Sequence, residues 1–287
     1  MKTTLTLLGF LLAPLTGWTA TPTINATNQY AYGANLGWLA WRGDTNNGVV
    51  IGAYICTGYI YAANAGWINL GSGAPTNGIQ YQNLAANDYG VNHDGLGNLR
   101  GLAWGANIGW VSFETNGAPS VNLRTGRLSG WIWSANCGWI SLSNAVANIQ
   151  TDSLWPGQVD TNGLPLAWEL LNFGATGVDA SADPDHDGMS NAQEYLAGTN
   201  PNDPTSTLRI TQAQFTSDGL TASLTWNSVP TRFYYVQKAL TLAPAAWADS
   251  GLGLLSPAPG SSTTAAFGDT NAPPRFYRVS AALPLSP

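Results

Sequence analysis

The chain has 287 residues but only 9% charged side chains, against about 25% in an ordinary soluble protein, together with 33 glycines, 17 prolines and 13 tryptophans. That balance excludes a coiled coil, a charged disordered tail and a basic nucleic-acid binder, while 44% apolar residues supply material for two or three cores. The net charge of −6 is concentrated in residues 152–203, which hold nine acids and no lysine or arginine, so this segment repels itself unless a cation sits among its carboxylates.

In chain order, Met1-Lys2, the apolar run Leu5 to Leu15 and the stretch Thr16 to Ala20 follow the order of a secretory signal, with residues 1–20 as the expected leader. The run is too short to cross a bilayer, and no later stretch reads as a transmembrane helix. The expected location is therefore secreted or cell-surface, by bacterial-type export. Cys56 and Cys137 would then meet an oxidising compartment in which one disulfide is allowed.

Residues 21–145 carry the motif Ala-Asn-x-Gly-Trp four times, ending at Trp38, Trp67, Trp110 and Trp139. The asparagines stand 29, 43 and 29 residues apart, so the first pair of motifs recurs as the second with a period of 72. Strand-type residues flank each motif, as in Tyr59-Ile60-Tyr61 and Trp139-Ile140-Ser141-Leu142, and Asn and Gly supply the turn, which predicts a β-hairpin. A further turn near Val121 to Leu128 suggests units of three strands, a β-meander, with the first unit truncated. The motif resembles the tryptophan-rich repeats of modular bacterial surface and secreted proteins. Two readings of the tryptophans stay open: they pack as the core of the repeat, or they stand exposed, with the asparagines beside them, as platforms for sugar rings.

The next segment contains the strongest motif. Asp183, Asp185, Asp187, Asn191 and Glu194 fall at positions 1, 3, 5, 9 and 12 of a calcium loop, with Gly188 at position 6 and the Met189 carbonyl at position 7. Ca²⁺ takes six to eight hard oxygens, and this spacing delivers them from one loop and the helix that follows. Upstream, Gln158, Asp160, Asn162, Gly163 and Glu169 fit the same template in degenerate form. Leu164 to Phe173 and Ser190 to Leu196 read as two short helices ended by Gly174 and Gly198. The paired unit, 152–205, looks like bacterial calcium-binding repeats related to thrombospondin type 3 repeats, with EF-hand-like loops; that resemblance implies Asp203 as a further ligand.

From Thr207 the pattern returns to strands at Leu208 to Phe215, Leu220 to Trp226, Phe233 to Ala239, Thr263 to Phe267 and Phe276 to Ala281, which predicts a β-sandwich over 207–287. The set Trp226, Tyr235, Trp247 and Arg275 to Val279 resembles fibronectin-type-III-like C-terminal modules. The expected fold class is thus mainly β: an N-terminal β-meander repeat domain, a small α-helical calcium-loop connector and a C-terminal β-sandwich. No nucleophile pattern, cofactor fingerprint or phosphate loop is present, and Glu114 with Asp94 reads as solvated loop residues rather than a glycosidase pair, so no enzyme is expected. The expected function is an exported, calcium-binding, structural or adhesive surface protein whose partners are cell-surface or matrix components, glycans or a second copy; the alternative is carbohydrate binding by Trp38, Trp67, Trp110 and Trp139.

Overall fold

The computed structural model describes residues 21–43, 46–217, 220–269 and 276–286; the expected leader lies outside them. Each Ala-Asn-x-Gly-Trp motif folds as a two-stranded antiparallel hairpin. The strand pairs are Ile24–Gly33 with Gly37–Ala40, Tyr59–Ala62 with Gly66–Asn69, Leu99–Gly105 with Gly109–Ser112, and Trp131–Ser134 with Gly138–Ser141. The motif glycine takes φ between 70° and 79° in all four copies, a conformation that side-chain-bearing residues rarely adopt and that a three-residue hairpin loop requires.

Successive hairpins pair through Leu39↔Ala62, Ile68↔Gly105 and Val111↔Ser134, and the last strand returns to the first through Tyr32↔Ser141 and Gly33↔Ile140. The expected meander is thus closed into an eight-stranded barrel, with Asn148–Thr151 added along its first strand. The unit common to all four copies is the hairpin; the third copy carries a third strand, Val91–His93, paired with Leu99–Gly105, and the first copy has both hairpin strands, the opening one running for ten residues. The 72-residue period persists in the backbone. Trp41 N–H bonds the Gln29 carbonyl as Phe113 N–H bonds that of Gly101, and Leu70 bonds Gly58 as Leu142 bonds Gly130.

Strand parity sets the inside and the outside. Ala31, Leu39, Ile60, Ile68, Val111, Ile132 and Ile140 are fully buried and fill the barrel, where Trp41 and its repeat equivalent Phe113 meet at 6.2 Å. An eight-stranded barrel leaves an interior only wide enough for side chains of this size. The tryptophans therefore do not form the core. Of the eight between residues 30 and 143 only Trp41 is buried, while Trp38, Trp67, Trp110 and Trp139 face outward with 43–48% of their surface exposed.

Two α-helices follow among the described residues: α1, Leu166–Phe173, begins after Pro165, and α2, Asn191–Ala197, begins at a Ser190–Gln193 capping box. Both end at glycines in the left-handed conformation, Gly174 and Gly198. Beyond them, Ile210–Phe215, Thr221–Asn227 and Ser262–Gly268 form one three-stranded sheet, and Ala248–Asp249, Phe233–Ala239 and Phe276–Ala282 form another. The sheets share a core around Leu224, Trp226, Tyr234, Val236 and Phe267. Arg124 ties the barrel to this region by donating to the Leu254 carbonyl and Ser256 Oγ. Cys56 and Cys137 are both buried and unbridged.

Candidate metal centre and aromatic girdle

The acidic loop is wound by Gly188 at φ 94°, and nothing lies within 4 Å of where a Cβ would project, so glycine is needed here for its conformation and not for space. The turn gathers Asp183, Asp185 and Asp187, each offering a carboxylate oxygen within 4.8 Å of the others. Asp183 accepts the N–H groups of Asp187 and Gly188, and Asp187 Oδ1 accepts that of Met189. Helix α2 brings Asn191 and Glu194 alongside; both are fully buried.

The decisive feature is what these groups lack. Asp185 Oδ2, Asp187 Oδ2, Asn191 Oδ1 and both carboxylate oxygens of Glu194 are buried without a hydrogen-bond partner among the described residues. An unpaired buried carboxylate is costly, and native structures rarely leave one so. Glu194 responds as physics demands: burial first, and then Asp185, Asp187 and Asp183, push its pKa from 4.5 up to about 7. The Thr199 hydroxyl opposes this by proximity but does not reach hydrogen-bond geometry, and its own oxygen is also buried and unpartnered. Five orphaned hard oxygens, two of them on the clustered aspartates, make a donor set that fits a cation of the Ca²⁺ or Mg²⁺ type, which takes carboxylate and amide oxygens. The motif assigns Thr199 no role; it follows the helix-ending Gly198 in the stretch that leads to Asp203.

The degenerate upstream loop is different. Glu169 is fully buried too, but its carboxylate accepts the backbone N–H groups of Gly177 at 3.2 Å and Val178 at 2.7 Å. Asp160 accepts the N–H groups of Asn162 and Leu164 and the Asn162 amide, which also reaches the Val178 carbonyl. These acceptors are satisfied by the chain itself. Asp203 is likewise engaged: its Oδ1 takes both the N–H and the hydroxyl of Thr205, which holds its pKa down. Asp94, the other carboxylate considered for catalysis, caps its own turn at Leu96 and Asn98.

On the barrel, the amide groups of the motif asparagines donate to the neighbouring hairpin turns. Asn35 Nδ2 donates to the Cys137 carbonyl, Asn64 to Leu36, Asn107 to Ala65 and Asn136 to Ile108, each at 3.1 Å. The four bonds form a closed ring that laces the hairpin turns together, each Asn reaching the variable third residue of a neighbouring motif. Those variable residues, Leu36, Ala65, Ile108 and Cys137, are buried in the core cluster. The tryptophans meet cross-strand aromatics instead: Tyr32–Trp38 at 5.3 Å, Tyr61–Trp67 at 4.9 Å, Trp104–Trp110 at 4.7 Å and Trp133–Trp139 at 5.0 Å. These tilted or edge-to-face pairs hold each indole in place while leaving part of it in solvent. The result is a girdle of aromatic pairs around the barrel.

No known protein family, no curated protein and no solved structure matches this chain. The reading of its function therefore rests on its own residues. No helix among the described residues is long and apolar enough to cross a membrane.

Proposed function

We propose that the chain is an exported, calcium-binding modular protein of the cell surface or extracellular matrix, in which calcium stiffens the connector between the barrel and the C-terminal sheets. The observation that carries this reading is the set of five buried, unpartnered oxygens at the 183–194 loop. Asp183, Asp185, Asp187, Asn191, Glu194 and the Met189 carbonyl would hold the ion, and its charge would offset carboxylates that otherwise repel one another. Stiffening can pass to the C-terminal sheets through Arg232. Its guanidinium donates to the Tyr195 and Leu196 carbonyls in the last turn of α2 and lies over the Tyr195 ring, so the helix that supplies Glu194 is clamped by the next module.

Calorimetric titration of the full chain with Ca²⁺, beside melting curves and limited proteolysis in Ca²⁺ and in chelator, tests this. One ion is expected, because only one loop has unmet oxygens, with stabilisation of about 2.7 kcal/mol at a hundred times Kd and cleavage between residues 150 and 205 appearing in chelator. Absence of binding, with identical melting and cleavage in both buffers, overturns it.

A second reading, carbohydrate binding by the barrel, is favoured by one observation: all four motif tryptophans lie on the outer face, and none is needed to fill the core.

A further inference from the structure

Between the third and fourth hairpins the girdle deepens into two adjoining concavities of about 220 and 290 Å³ that share Trp139, Asn116 and Gly117. Trp133, Ser112 and Glu114 complete the first, and Trp131 completes the second. Trp131, Trp133 and Trp139 expose 48%, 40% and 45% of their surface. The 114–117 turn is pressed against this cluster through Gly117, where an added Cβ would fall 1.9 Å from the Trp131 carbonyl oxygen and 3.1 Å from the Trp139 ring.

The polar groups here are uncommitted. Most Asn and Asp side chains of the barrel are consumed in turns or in the asparagine ring, yet the Glu114 carboxylate and the Asn116 amide make no hydrogen bond or ion pair among the described residues, and both side chains are exposed. The site also breaks the repeat. Arg42 stands 72 residues before Glu114, and its guanidinium is taken up by the Ile24 carbonyl. Among the described residues, a carboxylate and an amide without hydrogen bonds thus meet three open indoles at this cleft.

Resting on the second reading above, we propose that this cleft binds a pyranose unit of a neutral polysaccharide, with the C–H face of the sugar on Trp139 and its hydroxyls taken by Glu114, Asn116 and Ser112. The chemistry selects that occupant. Among the described residues no lysine or arginine lines either concavity, so an anionic ligand gains nothing there and meets Glu114. A quaternary ammonium would suit indoles and a carboxylate, but it would leave the Asn116 amide and Ser112 hydroxyl unused; a polyhydroxyl ligand uses donors and acceptors alike. Two concavities in a row along one indole also suit a chain more than a point charge.

The test is calorimetric titration of the full chain, in chelator, with the hexasaccharides of β-1,4-glucose, β-1,4-mannose and β-1,4-N-acetylglucosamine, and with choline chloride. Saturable binding of one hexasaccharide is expected, abolished by Trp139→Ala, weakened about tenfold by Glu114→Ala or Asn116→Ala, and kept by Trp67→Ala. The two polar variants replace exposed side chains, so they report on the site even if Trp139→Ala fails to fold. Binding that falls equally in the Trp67 and Trp139 variants, with the polar variants silent, overturns this site while leaving the girdle as a glycan surface. Binding of choline alone, self-association of the chain through this face, or no binding at all overturns the proposal. Because calcium is absent throughout, none of these results bears on the metal centre.

Discussion

The two loops of the connector share a template and end differently. Glu169 and Glu194 are each the fourth residue of a short helix, each fully buried, each preceded by an acid-bearing turn wound by a glycine. Glu169 is satisfied because the chain after α1 turns back and aims the N–H groups of Gly177 and Val178 at it. Counted from the glycine that ends each helix, Gly177 corresponds to Pro201, which has no N–H, and Val178 corresponds to Asn202, whose N–H is taken by the Asn200 side chain. Two backbone donors that close the first loop are thus missing from the second. A buried carboxylate needs donors from the chain, a proton or a cation from solution; the first loop has the donors, and on the function proposed above the second takes the cation.

Exchanging each glutamate for glutamine breaks this comparison most sharply. Glu194→Gln removes the charge that the cation would neutralise, so Ca²⁺ affinity should fall by at least ~100-fold, the low end of the cost of removing one partner from a buried charge cluster, while melting in chelator should rise because an uncompensated carboxylate is gone. Glu169→Gln should do the reverse, lowering stability by about 1–3 kcal/mol in both buffers through weakened charge-assisted bonds and leaving Ca²⁺ affinity unchanged. Titration and melting of the two variants check both halves. If Glu169→Gln alters calcium affinity as much as Glu194→Gln does, the loops are not distinct in kind.

The spacing of carboxylates made both loops visible in the sequence, but which of them leaves its glutamate without backbone donors was not, because that depends on where Gly177 and Val178 return in space. The hairpins were legible for the opposite reason: Ala-Asn-x-Gly-Trp is a local turn signal. The side of the barrel on which the tryptophans stand was also written there, in the alternation of Tyr59-Ile60-Tyr61-Ala62 and Trp131-Ile132-Trp133-Ser134, where the aliphatic and small residues share one parity and the aromatics the other. The weight of indole as a core residue obscured it. The asparagine ring could not be read, since Asn35 reaches Cys137 across 102 residues and only closure of the barrel joins them. The unpartnered Glu114 had a faint signal, the replacement of Arg42 by an acid at the equivalent position one period later.

A pH series sharpens the same contrast with a smaller effect. In the metal-free fold Glu194 titrates near 7 instead of 4.5, so between those values the folded state holds a proton that the unfolded state has released, and stability contributed by the protonated group is lost as pH rises through that window. His93 acts in the opposite sense. Buried with Nδ1 on the Gly52 carbonyl and Nε2 accepting the Gly97 N–H, it is held below its ordinary 6.5 chiefly by burial, so it favours the fold as pH rises. The readout is therefore the melting difference between the parent chain and Glu194→Gln in chelator, from which His93 cancels. The parent should lose stability relative to the variant between pH 4.5 and 7, and Ca²⁺ should abolish that loss. A flat difference would mean that Glu194 finds partners in solution that the fold does not give it.

The smallest effect separates the loops by their glycines. Gly163 and Gly188 sit at φ 84° and 94° with open space where a Cβ would project, so alanine at either position carries a conformational penalty of about 1–2 kcal/mol and no clash. In the first loop, already locked by Asp160, that penalty should lower melting equally with and without calcium. In the second, the metal-free loop is strained by its own charges and can relax, so the cost should fall mainly on the calcium complex and appear as an affinity loss of about tenfold for about 1.4 kcal/mol. Melting of Gly163→Ala and titration of Gly188→Ala decide it. Equal losses of stability in both buffers for both variants would mean that the second loop is as rigid without a cation as the first, and that its unpartnered oxygens are held in place by the fold alone.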